Sequence, residues 1–202
     1  MKKLAVFKSN PNNQLSLANE NIEQLLTLCK QNNQKAQFEI YKRYCKAMYN
    51  VALRIVKDEH FAEDVMQEGF LKAFQKLDTF RNEVAFGAWL KRIIVNYSID
   101  FYKKNSFFNH DDFETKAYKL AEDSEEQESD YIQLKVQEVR KALQSIKESY
   151  RIILTLSLIE GYDYEEIGQI LNISPTNCRT TISRAKESLK LQLQQEKYHE
   201  NK

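Results

Sequence analysis

Residues 161–190 read GYDYEEIGQILNISPTNCRTTISRAKESLK, and the stretch carries the punctuation of two short helices. Gly161 follows the apolar run 152–159 and can take the positive φ that ends a helix. Asp163 stands three residues before Glu166, a capping-box spacing with Asp in the usual Ser/Thr place, so a new helix is expected to start at Tyr164. Ile167, Ile170 and Leu171 form its apolar face, and Gly168 is the small residue where a second helix can approach closely. Asn172 tolerates the left-handed conformation that a turn needs. Ser174 followed by Pro175 is an N-cap with proline at the first helical position.

The second helix can be tested by angle. At about 100° per residue, Cys178, Ile182, Ala185 and Leu189 fall within about 60° of one another and form a buried stripe. Thr176, Arg179, Thr180, Ser183 and Arg184 fall on the opposite side. Between Pro175 and Leu191 Glu187 is the one acidic residue, against four bases, Arg179, Arg184, Lys186 and Lys190. Short polar side chains near a helix N-terminus, Asn177 among them, reach base edges, while Arg and Lys hold phosphates or guanine. The pattern is a helix-turn-helix that points to DNA. A helical hairpin with a solvated basic face is the plainer alternative.

The chain has 202 residues with four Gly and two Pro, which favours an all-α protein of one or two domains. The formal net charge of +1 hides an asymmetry. Residues 105–130 hold nine acidic side chains against Lys116 and Lys119, a net of −7, so the remainder carries +8. A basic body with an acidic insert fits a nucleic-acid binder. The insert, centred on EDSEEQESD, buries little and repels itself, so it is expected to be a flexible linker. The expected organisation is a loose tail over 1–24, a helical domain over 25–104, the linker over 105–130, a helix-turn-helix domain over 131–195 and a tail over 196–202.

Other function classes lack residues to support them. Cys29, Cys45 and Cys178 have no CxxC spacing and suit small apolar positions in a reducing cytoplasm. The N-terminus has too short an apolar run for a signal peptide, and no stretch is long enough to span a membrane. His60 beside Glu63 and Asp64 is a weak metal signal, and the other histidines are scattered. There is no phosphate loop and no nucleophile–base pairing, so neither a cofactor, a metal nor enzymatic chemistry is expected.

Three helical segments are expected in the first domain. In one, Phe38, Tyr41, Tyr44, Met48, Val51, Ala52 and Ile55 step by three and four. In the next, Ala62, Met66, Gly69, Phe70, Ala73 and Leu77 share one side, while Asp64, Gln67, Glu68 and Leu71 lie within about 100° of arc on the other. Two carboxylates, an amide and an exposed leucine suit docking on a partner with basic and apolar features. They equally suit a solvated face. The third segment runs from Phe86 to Lys103, with Trp89, Leu90, Ile93, Ile94, Tyr97 and Phe101 as its core stripe and Lys91, Arg92, Asn96, Lys103 and Lys104 outside it. The loop before it, LDTFRNEVAFG, holds Phe80, Arg81 and Asn82. Aromatics beside basic groups can stack unpaired bases and hold the strand. Phe80 and Trp89 can also simply pack inside, and packing is the first expectation for Trp89.

Taken together, FEIYKRYCKAMYNVALRIVKD, AEDVMQEGFLKAFQKLDTFRN, FGAWLKRIIVNYSIDFYKK, YRIILTLSLIEGYDYEEIGQILNIS and RTTISRAKESLK resemble the extracytoplasmic-function sigma factors of bacterial RNA polymerase. The resemblance covers residues 36–104 and 143–190 in order. It implies that Asp64, Gln67 and Glu68, with Leu71 beside them, match a D-x-x-Q-E motif that docks on the clamp helices of the polymerase's largest subunit. It implies that residues 80–104, with Phe80, Arg81, Asn82, Trp89, Lys91, Arg92 and Asn96, read and open the −10 promoter element. The helix-turn-helix, with Thr176, Asn177, Arg179, Thr180, Ser183, Arg184 and Lys186, would read the −35 element. Core polymerase, including the flap of its second-largest subunit, promoter DNA and an anti-sigma factor are the implied partners.

Some positions depart from the family pattern. Glu83-Val84-Ala85-Phe86-Gly87-Ala88 stands where the family often has Glu-Ser-Ser-Phe, a basic residue and Thr, so the helix cap is expected from Asn82 and a basic contact is missing at Gly87. Asn172 stands for a usual Gly, Thr181 for a common Arg, and Lys147 for a frequent Pro. A stand-alone helix-turn-helix regulator and a protein-binding helical adaptor are the alternatives. The Asp64–Glu68 stripe and the loop before Trp89 separate them from the sigma reading, because a dimeric regulator needs neither.

Overall fold

The computed structural model describes residues 17–106 and 130–200. Among the described residues there are eight α-helices and no strand: α1 (Ile22–Lys30), α2 (Gln34–Val56), α3 (Glu59–Gln75), α4 (Phe86–Ser106), α5 (Asp130–Ser145), α6 (Glu148–Leu154), α7 (Tyr164–Leu171) and α8 (Pro175–Glu200). The expected all-α fold is what forms. Most of the acidic insert, 107–129, and most of the N-terminal tail lie outside the described residues.

Side chains punctuate the first three helices. Asn21 and Gln24 close a capping box on α1. Asn33 accepts from the amides of Lys35 and Ala36 at the start of α2, and Asp58 accepts from Phe61 at the start of α3. Lys57 ends α2 in the left-handed region at φ 61°. The Asn21, Asn33 and Asp58 caps each answer an amide the helix itself leaves open. The first domain begins earlier than residue 25: α1 starts at Ile22 and buries Leu25, Leu26 and Cys29. Arg43 of α2 fixes the turn before α1, donating to the carbonyls of Leu17, Ala18 and Glu20.

Helices α2, α3 and α4 pack mutually around Ile40, Leu53, Ile55, Val65, Leu90, Ile94 and Ile99. Gly69 lets the Ile94 side chain lie close against α3, since a Cβ there would meet Ile94 Cδ1 at 2.3 Å. The stripe expected on α3 is buried, Ala62 through Ala73 in the helix and Leu77 in the turn after it. Two expectations are corrected. Phe38 is 61% exposed, because the core-facing side of α2 near its start is carried by Ala36 and Ile40. On α4, Val95, Ser98 and Ile99 are buried while Ile93, Tyr97 and Phe101 are only partly so. This helix packs against α2 and α3 at once, so its buried arc is wider than one stripe and turned from the expected one.

In the second domain α6 runs into a single π turn over Thr155–Ile159, which Gly161 ends at φ 77°. Helix α8 continues to Glu200, beyond the expected boundary at 195. Its Cys178, Ile182 and Ala185 are buried against α6 and α7. Apolar side chains of both domains form one continuous cluster.

Candidate nucleic-acid interface

The helix-turn-helix is α7, the turn 172–174 and the start of α8. Asp163 accepts from the amides of Glu165 and Glu166, and Glu166 returns a carboxylate oxygen to the Asp163 amide at 3.1 Å, the expected capping box. Asn172 sits at φ 58°, ψ 50°, the expected left-handed turn. Ser174 Oγ accepts from the Asn177 amide at 3.2 Å, with Pro175 first in the helix. Gly168 is tight, but against the turn and not the second helix: a Cβ there would meet the Ile173 carbonyl oxygen at 2.9 Å.

The outward side of α8 presents Thr176, Asn177, Arg179, Thr180, Ser183, Arg184 and Lys186, all exposed. Thr180 donates to the Thr176 carbonyl, and Thr181, where the family pattern has Arg, donates to Asn177 Oδ1 at 3.2 Å. The Arg179 guanidinium lies over the Tyr164 ring, 5.4 Å from its centroid. Tyr164 escaped the sequence reading because a first-turn aromatic carries no periodic signal.

The loop before α4 is organised by aromatic packing. Phe80 is 7% exposed and meets Phe86 at 5.6 Å and Trp89 at 5.2 Å between centroids. Phe80 therefore lies within the structure and supports Trp89, which is half-buried. Arg81 and Asn82 are exposed. Asn82 takes φ 59° and turns the loop. The cap position of α4 falls to Ala85, whose carbonyl accepts from Trp89, so the expected Asn82 cap gives way to a backbone turn. Gly87 packs against Tyr44, where a Cβ would meet Cε1 at 3.0 Å.

The stripe on α3 presents Asp64 and Glu68 exposed, Leu71 46% exposed and Gln67 half-buried. Gln67 Nε2 donates to Glu63 at 3.1 Å. Tyr97 of α4 borders the stripe: burial first, then the Glu68 and Asp64 carboxylates, push its phenol above the ordinary value. Lys72 Nζ sits 3.6 Å over the Tyr97 ring. No helix among the described residues is long and apolar enough to cross a membrane.

Sequence reasoning missed the contacts between the two domains. Glu160, 7% exposed, accepts from Arg54 Nε at 2.8 Å and faces Lys91 Nζ at 3.8 Å. Arg92 donates to Glu166 and to Gln169, at 3.2 and 2.7 Å. Buried Arg151 donates to the carbonyls of Arg54 and Ile55 at the end of α2 and pairs with Glu148 at 2.9 Å. A guanidinium suits that place, because the last carbonyls of a helix are unfilled acceptors at its negative end. The one sequence cue was an acid, Glu160, closing an apolar run.

Residues 40–108 match the family model for Sigma-70 region 2, and residues 136–189 match that for Sigma-70 region 4. The chain is 30% identical over 155 residues to the ECF RNA polymerase sigma factor SigM of Bacillus subtilis, covering 75% of this chain and 91% of that one. It is 28% identical over 180 residues to SigW of the same organism, covering 85% and 96%. The sigma factor RpoE of Bartonella quintana, solved in complex with the anti-sigma factor NepR, shares the fold with a TM-score of 0.54 at 20% identity, covering 85% of this chain and 96% of that one. With both regions matched and a relative 30% identical over most of its length, the chain belongs to the extracytoplasmic-function sigma factors of bacterial RNA polymerase.

Proposed function

We propose that this alternative sigma factor brings core polymerase to a bipartite promoter by dividing the work among three surfaces. Asp64, Gln67, Glu68 and Leu71 dock on the clamp helices of the largest subunit, and the second domain sits at the flap of the second-largest. Arg81, Asn82, Trp89, Lys91, Arg92 and Asn96 engage the −10 element as it opens, with Phe80 holding Trp89 from behind. Thr176, Asn177, Arg179, Thr180, Ser183, Arg184 and Lys186 read the −35 duplex in the major groove. The chain works in the cytoplasm, carries no catalytic chemistry of its own and needs no cofactor or metal. An anti-sigma factor is a natural further partner, since a structural neighbour is a sigma factor bound to one.

The observation that carries this reading is the exposed acidic stripe on α3 in the same chain as a helix-turn-helix with a basic outer face. A stand-alone regulator has no use for the stripe. The decisive experiment is transcription in vitro with core polymerase on a pool of genomic fragments. Promoter-specific initiation is expected, and its absence, with duplex binding retained, would favour the regulator.

A further inference from the structure

Helix α3 holds the makings of an ion pair that the fold does not use. Asp64, Glu68 and Lys72 follow one another at four-residue steps, so they lie along one ridge of the helix. At that spacing Asp64 and Glu68 repel each other. Glu68 before Lys72 is the order in which an acid and a base pair best on a helix surface. Lys72 nevertheless turns to the neighbouring helix. Its Nζ sits 3.6 Å from the centroid of the Tyr97 ring on α4. Among the described residues no ion pair joins Glu68 to Lys72, and Asp64 and Glu68 stay exposed.

Burial decides between the two partners. Lys72 and Tyr97 are both half-buried. A partly desolvated ammonium gains more over an aromatic face than an exposed carboxylate gives it through screening water. The same ring also borders the acids: burial, and after it the Glu68 and Asp64 carboxylates, push the Tyr97 phenol above its ordinary value. One side chain of α4 thus faces both the lysine and the acidic pair.

We propose that Tyr97 is a positioning residue for polymerase docking: its ring holds the Lys72 ammonium off Glu68, so that Asp64 and Glu68 present two uncompensated carboxylates to a basic partner. The inference rests on the assignment of the α3 stripe to docking. With the pair closed, binding would first have to break it, and the ammonium would then face the partner's own cations. The π face does the holding, not the hydroxyl. A leucine at 97 would occupy the same side of α4 without offering the ammonium a face.

The test titrates the full chain into core polymerase at low and at raised ionic strength. Tyr97→Leu is expected to bind roughly two- to threefold more weakly at low salt, and its ratio to wild type is expected to shrink as salt rises. Tyr97→Phe keeps the ring and is expected to bind as the wild type does. Adding Lys72→Ala to Tyr97→Leu removes the released cation and is expected to restore the affinity, a rescue that a damaged fold would not show. Thermal melts check each variant. In the wild-type chain, the Lys72 ε-methylene protons are expected upfield of the other lysines because they lie over the ring. Unshifted protons, undiminished binding by Tyr97→Leu, loss of binding by Tyr97→Phe, or no rescue by Lys72→Ala would each overturn the proposal. Glu68→Ala separates it from the reading beneath it. If Glu68→Ala binds core polymerase undiminished, the docking assignment itself falls. If Glu68→Ala weakens binding while Tyr97→Leu does not, the positioning role alone falls.

Discussion

The Arg179 guanidinium rests over the face of Tyr164, 5.4 Å from the ring centroid, and so joins α8 to the first residue of the helix before it. Arg179→Ala is expected to cost about 1–3 kcal/mol on a −35-type duplex. Tyr164→Ala is expected to cost roughly 0.5–1 kcal/mol through lost orientation of Arg179, and Tyr164→Phe should restore most of it. Duplex titrations on specific and random sequence check this. An equal Arg179→Ala loss on both would make it a phosphate contact.

Asp64→Ala and Glu68→Ala should each weaken core polymerase binding without lowering the melting temperature, since both are exposed and face away from the core. Surface changes of this kind usually move stability by less than about 0.5 kcal/mol. Leu71→Ala should behave the same way. A pull-down with core enzyme that leaves affinity unchanged would remove the stripe from the docking surface.

Phe80 calls for a different expectation. Being buried between Phe86 and Trp89, its replacement by Ala should destabilise the first domain by about 3–5 kcal/mol. Loss of promoter opening by that variant therefore says nothing about base stacking. Phe80→Leu keeps most of the volume and should retain both fold and opening. Trp89→Ala, if fully folded by calorimetry yet unable to open a promoter in a permanganate assay, would mark Trp89 as a DNA contact as well as a packing residue.

At Gly168 two effects oppose each other. Alanine gains about 1 kcal/mol of helix propensity, but its Cβ would press on the Ile173 carbonyl oxygen at 2.9 Å. Backbone does not yield as a side chain does, and such crowding typically costs about 1–3 kcal/mol. Gly168→Ala should therefore lower stability by thermal denaturation. At Gly69 the close atom is the far end of Ile94, which can move aside, so Gly69→Ala should be milder. A larger loss at Gly69 than at Gly168 would invert this ranking.

Burial pushes the Cys29 thiol up to about 11. The thiolate is the reactive form, so half-buried Cys45 should take up a thiol reagent well before Cys29 and Cys178 in the native chain. The same displacement fixes a pH dependence. Below pH 9 the thiol is protonated in both folded and unfolded chains. Between pH 9 and 11 only the unfolded chain releases the proton, so stability should fall with rising pH by about 1.4 kcal/mol per pH unit from this group. Cys29→Ala should flatten that slope in denaturant titrations.

Much of the helix-turn-helix was legible because its determinants are local. Asp163, Glu166, Asn172, Ser174 and Pro175 act within four residues of themselves, and caps and turns are chosen at that range. The outer face of α8 followed from angle alone. The arc of α4 was misjudged because burial from two sides erases the contrast that periodicity measures. Asn82 was expected to cap because its side chain can, yet the loop uses it for its backbone. The pairs that join the domains, Arg54 with Glu160 and Arg92 with Glu166, lie 106 and 74 residues apart, and no local pattern encodes such a distance.

Arg151 fills the carbonyls of Arg54 and Ile55 from 97 and 96 residues further along the chain. At roughly 5–20 residues per second of synthesis, the end of α2 emerges about 5–20 s before that guanidinium exists. For that interval the nascent first domain must hold itself together with water on its last carbonyls. Arg54, Lys91 and Arg92 then have none of their acidic partners. For as long as Glu160 and Glu166 are still unmade, the chain on the ribosome carries these three cations without the carboxylates that later face them.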